Sequence, residues 1–422
     1  MPARFPQDLS YPNLWHEVSA NNRRGAEPCD RTGLARRLDF FTPNCSTPAR
    51  CAILETSHIR LLIERARQFS ALAFEAEPAA DKAAAIDPSL WLEFHRCGLS
   101  MSPFPETLGG VGLCEASRHL ELCTILRLIG AGDLAIARLF EGHLNAISLV
   151  SRYGTEAQLR ALAADIAEGA LSAVWAANDA AGLTMIADGA KAALRGRKIL
   201  ASGAGLVTRP LVTASSAEGE WMCLLRLAAD HPVDLSQWNA QGMRSTATGT
   251  IDLSNLIVTA EEVVGEAGDF TRQPVFSAGA WRFCAAQLGA MERLVDLFRD
   301  HLVARSRDQD PFQRQRVAHS AAAARTARFW VEEAARRFCT QEEDADSLVA
   351  FVNLTRTVTE RSALDVMEMV QRGIGLTCFM RPHPIERISR DLSTYLRQPV
   401  PDQAMSDAAG SLLRSKLPMG EW

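Results

Sequence analysis

The apolar positions change period twice along the chain, and those changes set the expected layout. Ile59, Leu62, Ala66, Phe69 and Ala73 recur at three and four residues, the spacing of one helix face. Trp91, Phe94 and Leu99 continue in a second helix, and Cys114 to Tyr153 is helical with a break at Gly130-Ala-Gly-Asp133. Asp133 is placed to cap the second half and Gly154 to close it, and Thr155-Glu-Ala-Gln158 predicts a capping box. After Gly169 the period shortens. Leu171 to Ala177, Ala193 to Ala201, Trp221 to Ala228 and Thr248 to Val258 read as strands, with Asp188-Gly189, Arg195-Gly196 and Glu218-Gly219 as breakers. From Gly279 the helical period returns. Leu288, Met291, Val295, Phe298 and Leu302 form a stripe opposite Glu292, Asp296, Arg299 and Asp300. Gln315 to Phe338, Ser347 to Val370 and Ile385 to Leu396 complete four amphipathic helices, which predicts a bundle.

The fold class expected is therefore α+β, mostly α. Residues 1–52 have no sustained period and read as an irregular N-terminal extension. Residues 53–170 make an N-terminal helical domain, 171–270 a middle antiparallel β-barrel-like domain, and 271–422 a C-terminal four-helix bundle domain.

Composition changes this picture little. Of 422 residues, 47% are hydrophobic and 23% charged, ordinary for a chain with a sizeable core. A net charge of −5 without a basic stripe argues against nucleic acid as a partner. No apolar run approaches 18 residues and the N-terminus lacks a signal peptide's apolar core, so no membrane span and a cytoplasmic location are expected. Ten cysteines without a Cys-x-x-Cys read as free thiols. Cys29, Cys45 and Cys51 with His16 and His58 match no ligand spacing, so no metal site is expected.

Candidate chemistry sits in Met367 to Pro399. Glycines Gly373 and Gly375 end a helix, a loop carries Arg381, Pro382, His383 and Pro384, and Glu386-Arg387 and Arg390-Asp391 open another helix. This stretch resembles the C-terminal signature of the acyl-CoA dehydrogenase family. Further fits are Gly98-Leu99, Pro105-Glu106 and Gly109-Gly-Val-Gly112, then His143 with Tyr153-Gly-Thr-Glu-x-Gln, then Gly242-Met-Arg-x-Thr246 with Gly249. His143 itself reads as structural. The resemblance runs over roughly residues 55 to 405.

It implies FAD in a crevice between the β domain and the C-terminal helices, completed by a neighbouring subunit of a homodimer or homotetramer. It implies a small-molecule substrate of the acyl-CoA kind. Residue by residue, it puts Trp175 and Ala177 on a strand beside the flavin, with Ala177 where the family has threonine. Gly182 lies beside the ring, and Ser202, followed by Gly203, brings a hydroxyl to flavin N5. Arg307 reaches the pyrophosphate of the neighbouring subunit's FAD through its planar fork. Gly373, with Gly375 two residues on, packs against the adenine end, and Met369 replaces a glutamine. The plain alternative for all of these is ordinary strand and turn residues and a solvated arginine.

The departure lies in the base. Dehydrogenation of an acyl thioester needs a carboxylate to take the α-proton while a hydride leaves for the flavin. The family's two glutamate positions hold Trp281 and Pro399. Asp402 and His383 are the remaining candidates, and Glu386 and Asp391 read as structural ion pairs. Three readings follow. One is an FAD-dependent oxidoreductase acting on a CH–CH group with an atypical or missing base. Another is a flavin-dependent monooxygenase, which needs no such base, and the third is a non-catalytic member.

Overall fold

The computed structural model describes residues 48–189, 191–340, 344–397 and 399–420, with side chains from His58 onward. Helix α1 (Pro48–Ala83) lays Ile59, Leu62, Ala66, Phe69 and Ala73 into the core as the period required. The irregular extension expected over 1–52 lies, up to residue 47, outside the described residues. Helix α2 (Pro88–Arg96) is capped by Asp87 and stops short of Leu99, which is buried in the turn that follows. Helices α3 (His119–Gly132) and α4 (Leu134–Tyr153) meet at Asp133, whose Oδ1 accepts from Ile136 N at 2.9 Å. Helix α5 (Glu156–Ala167) carries the capping box expected at Thr155 and Gln158.

His143 joins three segments, as a structural histidine should. Its Nε2–H donates to Ser100 O at 2.8 Å and its Nδ1 accepts from Ser172 N at 3.1 Å. Burial without a counter-charge holds the ring neutral, with its pKa pushed down to about 4.

The sheet follows. Its strands are β1 (Ser172–Trp175), β2 (Asn178–Asp188), β3 (Lys191–Ala201), β4 (Arg209–Ser216), β5 (Gly219–Leu224), β6 (Val233–Asp234), β7 (Gly249–Asp252), β8 (Ile257–Thr259) and β9 (Val263–Val264). Their order is β6-β7-β3-β2-β4-β5-β9, with β1 beside β4 and β8 beside β3. Most pairs are antiparallel, but β1 runs parallel to β4 and β2 meets β4 in parallel at Thr184 and Ser215. The expected antiparallel barrel is thus corrected to an open, mixed sheet. The physical reason is the β2–β3 hairpin, which intervenes between β1 and β4 and brings the chain back in its original direction. Strand β4 escaped the sequence reading because Pro210 sits inside it, and proline normally argues against a central strand.

Helices return with a single turn, Val275–Ala278, then α6 (Trp281–Ala304), α7 (Pro311–Thr340), α8 (Ala345–Ile374), α9 (Pro384–Tyr395) and α10 (Pro401–Arg414). The first four labelled helices are those expected, and α10 is an addition. Helices α6, α7 and α8 pack on one another, α3 packs along α6, and α10 lies on α8. The α3–α6 crossing is close. A Cβ on Gly130 would stand 2.1 Å from Ala286 O, and one on Gly289 2.0 Å from Arg127 O. Only glycine permits that approach.

Candidate functional site

The structure separates the residues singled out above into two sets. The first lies on the sheet. Trp175 is buried and donates Nε1–H to Ser202 O at 3.0 Å. Ala177 O accepts from Ile199 N at 3.1 Å. Around these contacts the ladder is broken twice. Between Asn178 and Leu183 the register with β3 slips, and the extra residues form a turn. There Asp179 Oδ1 accepts from Ala181 N at 3.0 Å and Gly182 N at 3.1 Å. Gly182 has φ +71° and open space where a Cβ would be. Between Lys198 and Ala201 the register with β7 slips by one residue, and Leu200 adopts φ +50° with 45% of its surface exposed. A leucine at positive φ is strained, and bulges re-aim side chains next to functional sites.

Ser202 and Gly203 follow directly. Ser202 Oγ has one weak partner, Thr248 Oγ1 at 3.5 Å. Gly203 has φ +72° and its N–H donates to Thr246 O at 2.8 Å. Beneath the turn lies Lys198, fully buried, whose ammonium donates to Ala176 O, Asn178 Oδ1 and Thr213 Oγ1 at 3.2, 2.6 and 3.0 Å. With no carboxylate in contact, burial pulls its pKa down to about 8.

The second set lies at helix ends. Arg307 Nη1 donates to Gly373 O at 3.3 Å, and Gln313 Nε2 to the same oxygen at 3.2 Å. Gly373 is needed for packing, since a Cβ there would stand 2.3 Å from Phe298 Cζ. Gly375, at φ +84°, caps α8. His383 caps α9 through Nδ1, which accepts from Ile385 N at 3.2 Å, and its ring centre is 6.3 Å from that of His301. No hydrogen bond among the described residues joins this set to the first.

Neither expected glutamate position regains a carboxylate. Trp281 is fully buried against His119 and Phe338, with its Nε1–H unpartnered. Pro399 is exposed and its carbonyl accepts from Arg356 Nη2 at 2.5 Å. Asp402 is exposed in the first turn of α10. Glu386 does pair with Arg390, at 2.6 Å, whereas Asp391 accepts a backbone N–H, that of Met243, at 2.6 Å.

A buried polar group that the sequence reading passed over stands beside Trp281. Glu141 is 4% exposed, paired with Arg138 on one oxygen and accepting from Asn145 on the other. Asn145 Oδ1 in turn accepts from Arg282 Nη1 at 3.1 Å. Arg282 is itself 4% exposed and lies over the Trp281 and Phe338 rings. Tyr395 is buried close by with its hydroxyl unpartnered, and burial beside Glu141 raises its pKa well above the usual phenol range. The signal was available, because Arg138, Glu141 and Asn145 occupy i, i+3 and i+7 on an otherwise apolar helix.

Two small cavities, one lined by Phe283, Gln287, Arg356 and Leu396 and one by Gly205, Val207, Leu227 and Val233, each have a volume of about 10 Å³. That is space for one water, far below the several hundred Å³ of a typical ligand pocket. Among the described residues no three His, Cys, Asp or Glu side chains are placed to hold a metal. No helix there is long and apolar enough to cross a membrane.

Comparison with known proteins gives the family. Residues 56–170 match the acyl-CoA dehydrogenase N-terminal domain and residues 281–397 the acyl-CoA dehydrogenase C-terminal domain. No curated protein matches the chain. Among solved structures, dibenzothiophene monooxygenase (TdsC) from Paenibacillus sp. A11-2 superposes with a TM-score of 0.74 at 18% identity. It covers 85% of this chain and 98% of its own. Butyryl-CoA dehydrogenase from Megasphaera elsdenii gives 0.74 at 17%, covering 84% and 98%. Methanesulfinate monooxygenase MsuC from Pseudomonas fluorescens gives 0.73 at 17%, covering 85% and 98%. At such identities these structures establish the fold alone. The two family domains together span more than half of the sequence, and the chain belongs to the acyl-CoA dehydrogenase family.

Proposed function

We propose that this protein is a flavin-dependent oxidoreductase that works without a carboxylate base, and that its chemistry is that of a flavin monooxygenase. The observation that carries this reading is the pair of base positions. Trp281 fills one with a buried indole and Pro399 leaves the other exposed. An α-proton there has no acceptor, and losing general base catalysis costs about 10²–10⁴-fold in rate. Oxygen insertion requires no such proton transfer. TdsC and MsuC, monooxygenases by name, share the fold, and TdsC has also been solved with FMN.

The residues present fit a flavin. Two adjacent bulges, a strained and exposed Leu200, and a Ser202 hydroxyl with one weak partner form an apolar face with a free donor. Backbone strain of this kind persists where a site needs it. Trp175, Ala177, Gly182, Ser202 and Gly203 would hold the ring. Arg307, reaching a neighbouring subunit's cofactor, and Gly373 with Gly375 would hold a pyrophosphate and adenine, which favours FAD over FMN. The bound flavin would supply two-electron redox chemistry and, when reduced, activation of oxygen. His383, beside His301, is the candidate proton donor. The three domains read from sequence, 53–170, 171–270 and 271–422, and assembly into a homodimer or homotetramer in the cytoplasm belong to the same proposal.

The test is purified protein supplied with reduced FAD or FMN, a small sulfur-containing or aromatic substrate, and ¹⁸O₂. Product carrying one ¹⁸O supports the reading. Bleaching of bound flavin by an acyl-CoA without oxygen overturns it in favour of dehydrogenation. Glu141 is the residue that favours that second reading, being a buried carboxylate beside Arg282. Its engagement by Arg138 and Asn145 weighs against it, and a Glu141→Gln variant that keeps full acyl-CoA turnover would remove it. Protein that takes up no flavin at all would leave the non-catalytic reading.

A further inference from the structure

The turn that carries Ser202 is held from below by a loop, and that loop is held in turn by α9. Gly203 N donates to Thr246 O at 2.8 Å and Ala204 N to Ala247 O at 3.1 Å. Thr248 Oγ1 reaches Ser202 Oγ and also lies 2.8 Å from Thr246 Oγ1. At the far end, Asp391 Oδ1 accepts from Met243 N at 2.6 Å and Thr394 Oγ1 from Gly242 N at 3.1 Å. Arg390 Nη1 donates to Gln241 O at 2.8 Å. The approach is so close that a Cβ on Gly242 would stand 2.2 Å from Arg390 O.

This loop is strained. Met243 has φ +58° and Ala247 φ +43°, and neither is glycine. Each such residue is costly and persists only where its surroundings over-determine it. Here the over-determination comes from α9. Helix α9 is itself anchored to α1, through Arg390 with Asp81 at 3.0 Å and Arg387 with Glu77. One continuous set of bonds therefore runs from α1, through α9 and residues 241–248, to the backbone of Gly203.

We infer that Asp391 is a positioning residue, which through the strained 241–248 loop fixes the turn at Ser202 and Gly203 and so sets the grip on a flavin. The inference rests on the flavin reading above, but the brace has a readout of its own. Asp391→Ala removes the acceptor for Met243 N–H. Asp391→Asn keeps an oxygen in the same place. Thr394→Val removes the second acceptor with little change in volume. The control is Thr155→Ala, a capping change far from the loop.

Amide hydrogen exchange of the peptide spanning residues 200–206 should quicken at least tenfold in Asp391→Ala. It should quicken several-fold in Thr394→Val and stay within twofold in Asp391→Asn and Thr155→Ala. Unchanged exchange there in both Asp391→Ala and Thr394→Val overturns the brace, with or without cofactor. Flavin affinity, measured by fluorescence quenching of FAD and of FMN, should fall at least tenfold in Asp391→Ala and be restored in Asp391→Asn. Wild-type protein that binds neither flavin, with the exchange pattern intact, overturns the flavin reading and leaves the brace standing. Should Asp391→Ala fail to fold, Thr394→Val decides by the same two measurements.

Discussion

The two sides of the candidate site are built on opposite principles. On the sheet side, backbone groups carry much of the structure, the buried charged group Lys198 has three oxygen partners, and Asp179 pairs with Arg197 near the surface. On the helix side, between α4, α6 and α9, charge is packed into the core. Arg138, Glu141, Asn145 and Arg282 form a chain there, and among the described residues Trp281 Nε1, Arg282 Nε and Tyr395 Oη have no hydrogen-bond partner. The first side leaves Leu200 exposed and open space at Gly182 where a Cβ would be. The second is filled by its own ionic groups, which engage the buried carboxylate of Glu141. On the function proposed above, the contrast teaches that the two halves of a family's chemistry can diverge separately, the cofactor face being kept while the proton-handling half is rebuilt.

The largest test of this contrast is Trp281→Ala. If the indole is a packing member of the helix side, its removal should cost about 3–5 kcal/mol in urea unfolding. A loss below 1 kcal/mol would mean the region repacks readily. Next, Glu141→Ala should cost about 3 kcal/mol by stranding Arg138, while the double change with Arg138→Met should recover more than half of that. Absence of recovery would show that the pair is not what sets the cost.

The resolved buried shifts that govern the pH dependence lie on the helices. Burial pushes His119 and His143 down to about 4, so the stability of their neutral forms is complete above about 6.5 and is lost as pH falls toward 4. Asp133 and Asp391 are pushed up, to about 7 and about 6, chiefly by burial. Their contribution is complete below about 4 and is lost as pH rises through 6 to 7. The two pairs oppose each other between pH 4 and 7. His143→Gln should therefore flatten the acid limb of a stability–pH curve, by about 3 kcal/mol at most. A limb of unchanged slope would show that His143 does not titrate there. The smallest effect is on the sheet side. Ser202→Ala should change stability by less than about 0.5 kcal/mol, since its hydroxyl has one long contact, yet weaken flavin binding. Loss of stability without loss of flavin would reverse the assignment.

Most of the fold was legible because period follows burial. The helix stripe of Leu288, Met291, Phe298 and Leu302 is buried as its spacing required. Asp133, Thr155 and Gln158 cap as their chemistry dictates. Strand β2 was not legible, since Asp179, Gly182 and the bulge break its alternation. Parallel pairing of β1 with β4 depends on topology that no local pattern carries. For the site, glycines and hydroxyls could be placed, but the meaning of Glu141 depended on Arg138 and on Arg282, which lies far along the chain. Whether a carboxylate is a free base or half of an ion pair is decided by neighbours, and single-residue reading does not see them.

One feature of α5 reaches beyond helix capping. Gln158 closes the capping box with its Oε1 and sends its Nε2–H to Glu261 O at 2.8 Å, in the turn before β9, and to Val263 O at 2.7 Å, in β9 at the edge of the sheet. A sheet ending in unpaired carbonyls invites a strand from another molecule. The amide of Gln158 therefore doubles as a lid on that margin, and Gln158→Glu, which keeps the acceptor and loses the donor, should leave the helix intact while making the protein prone to self-association at high concentration.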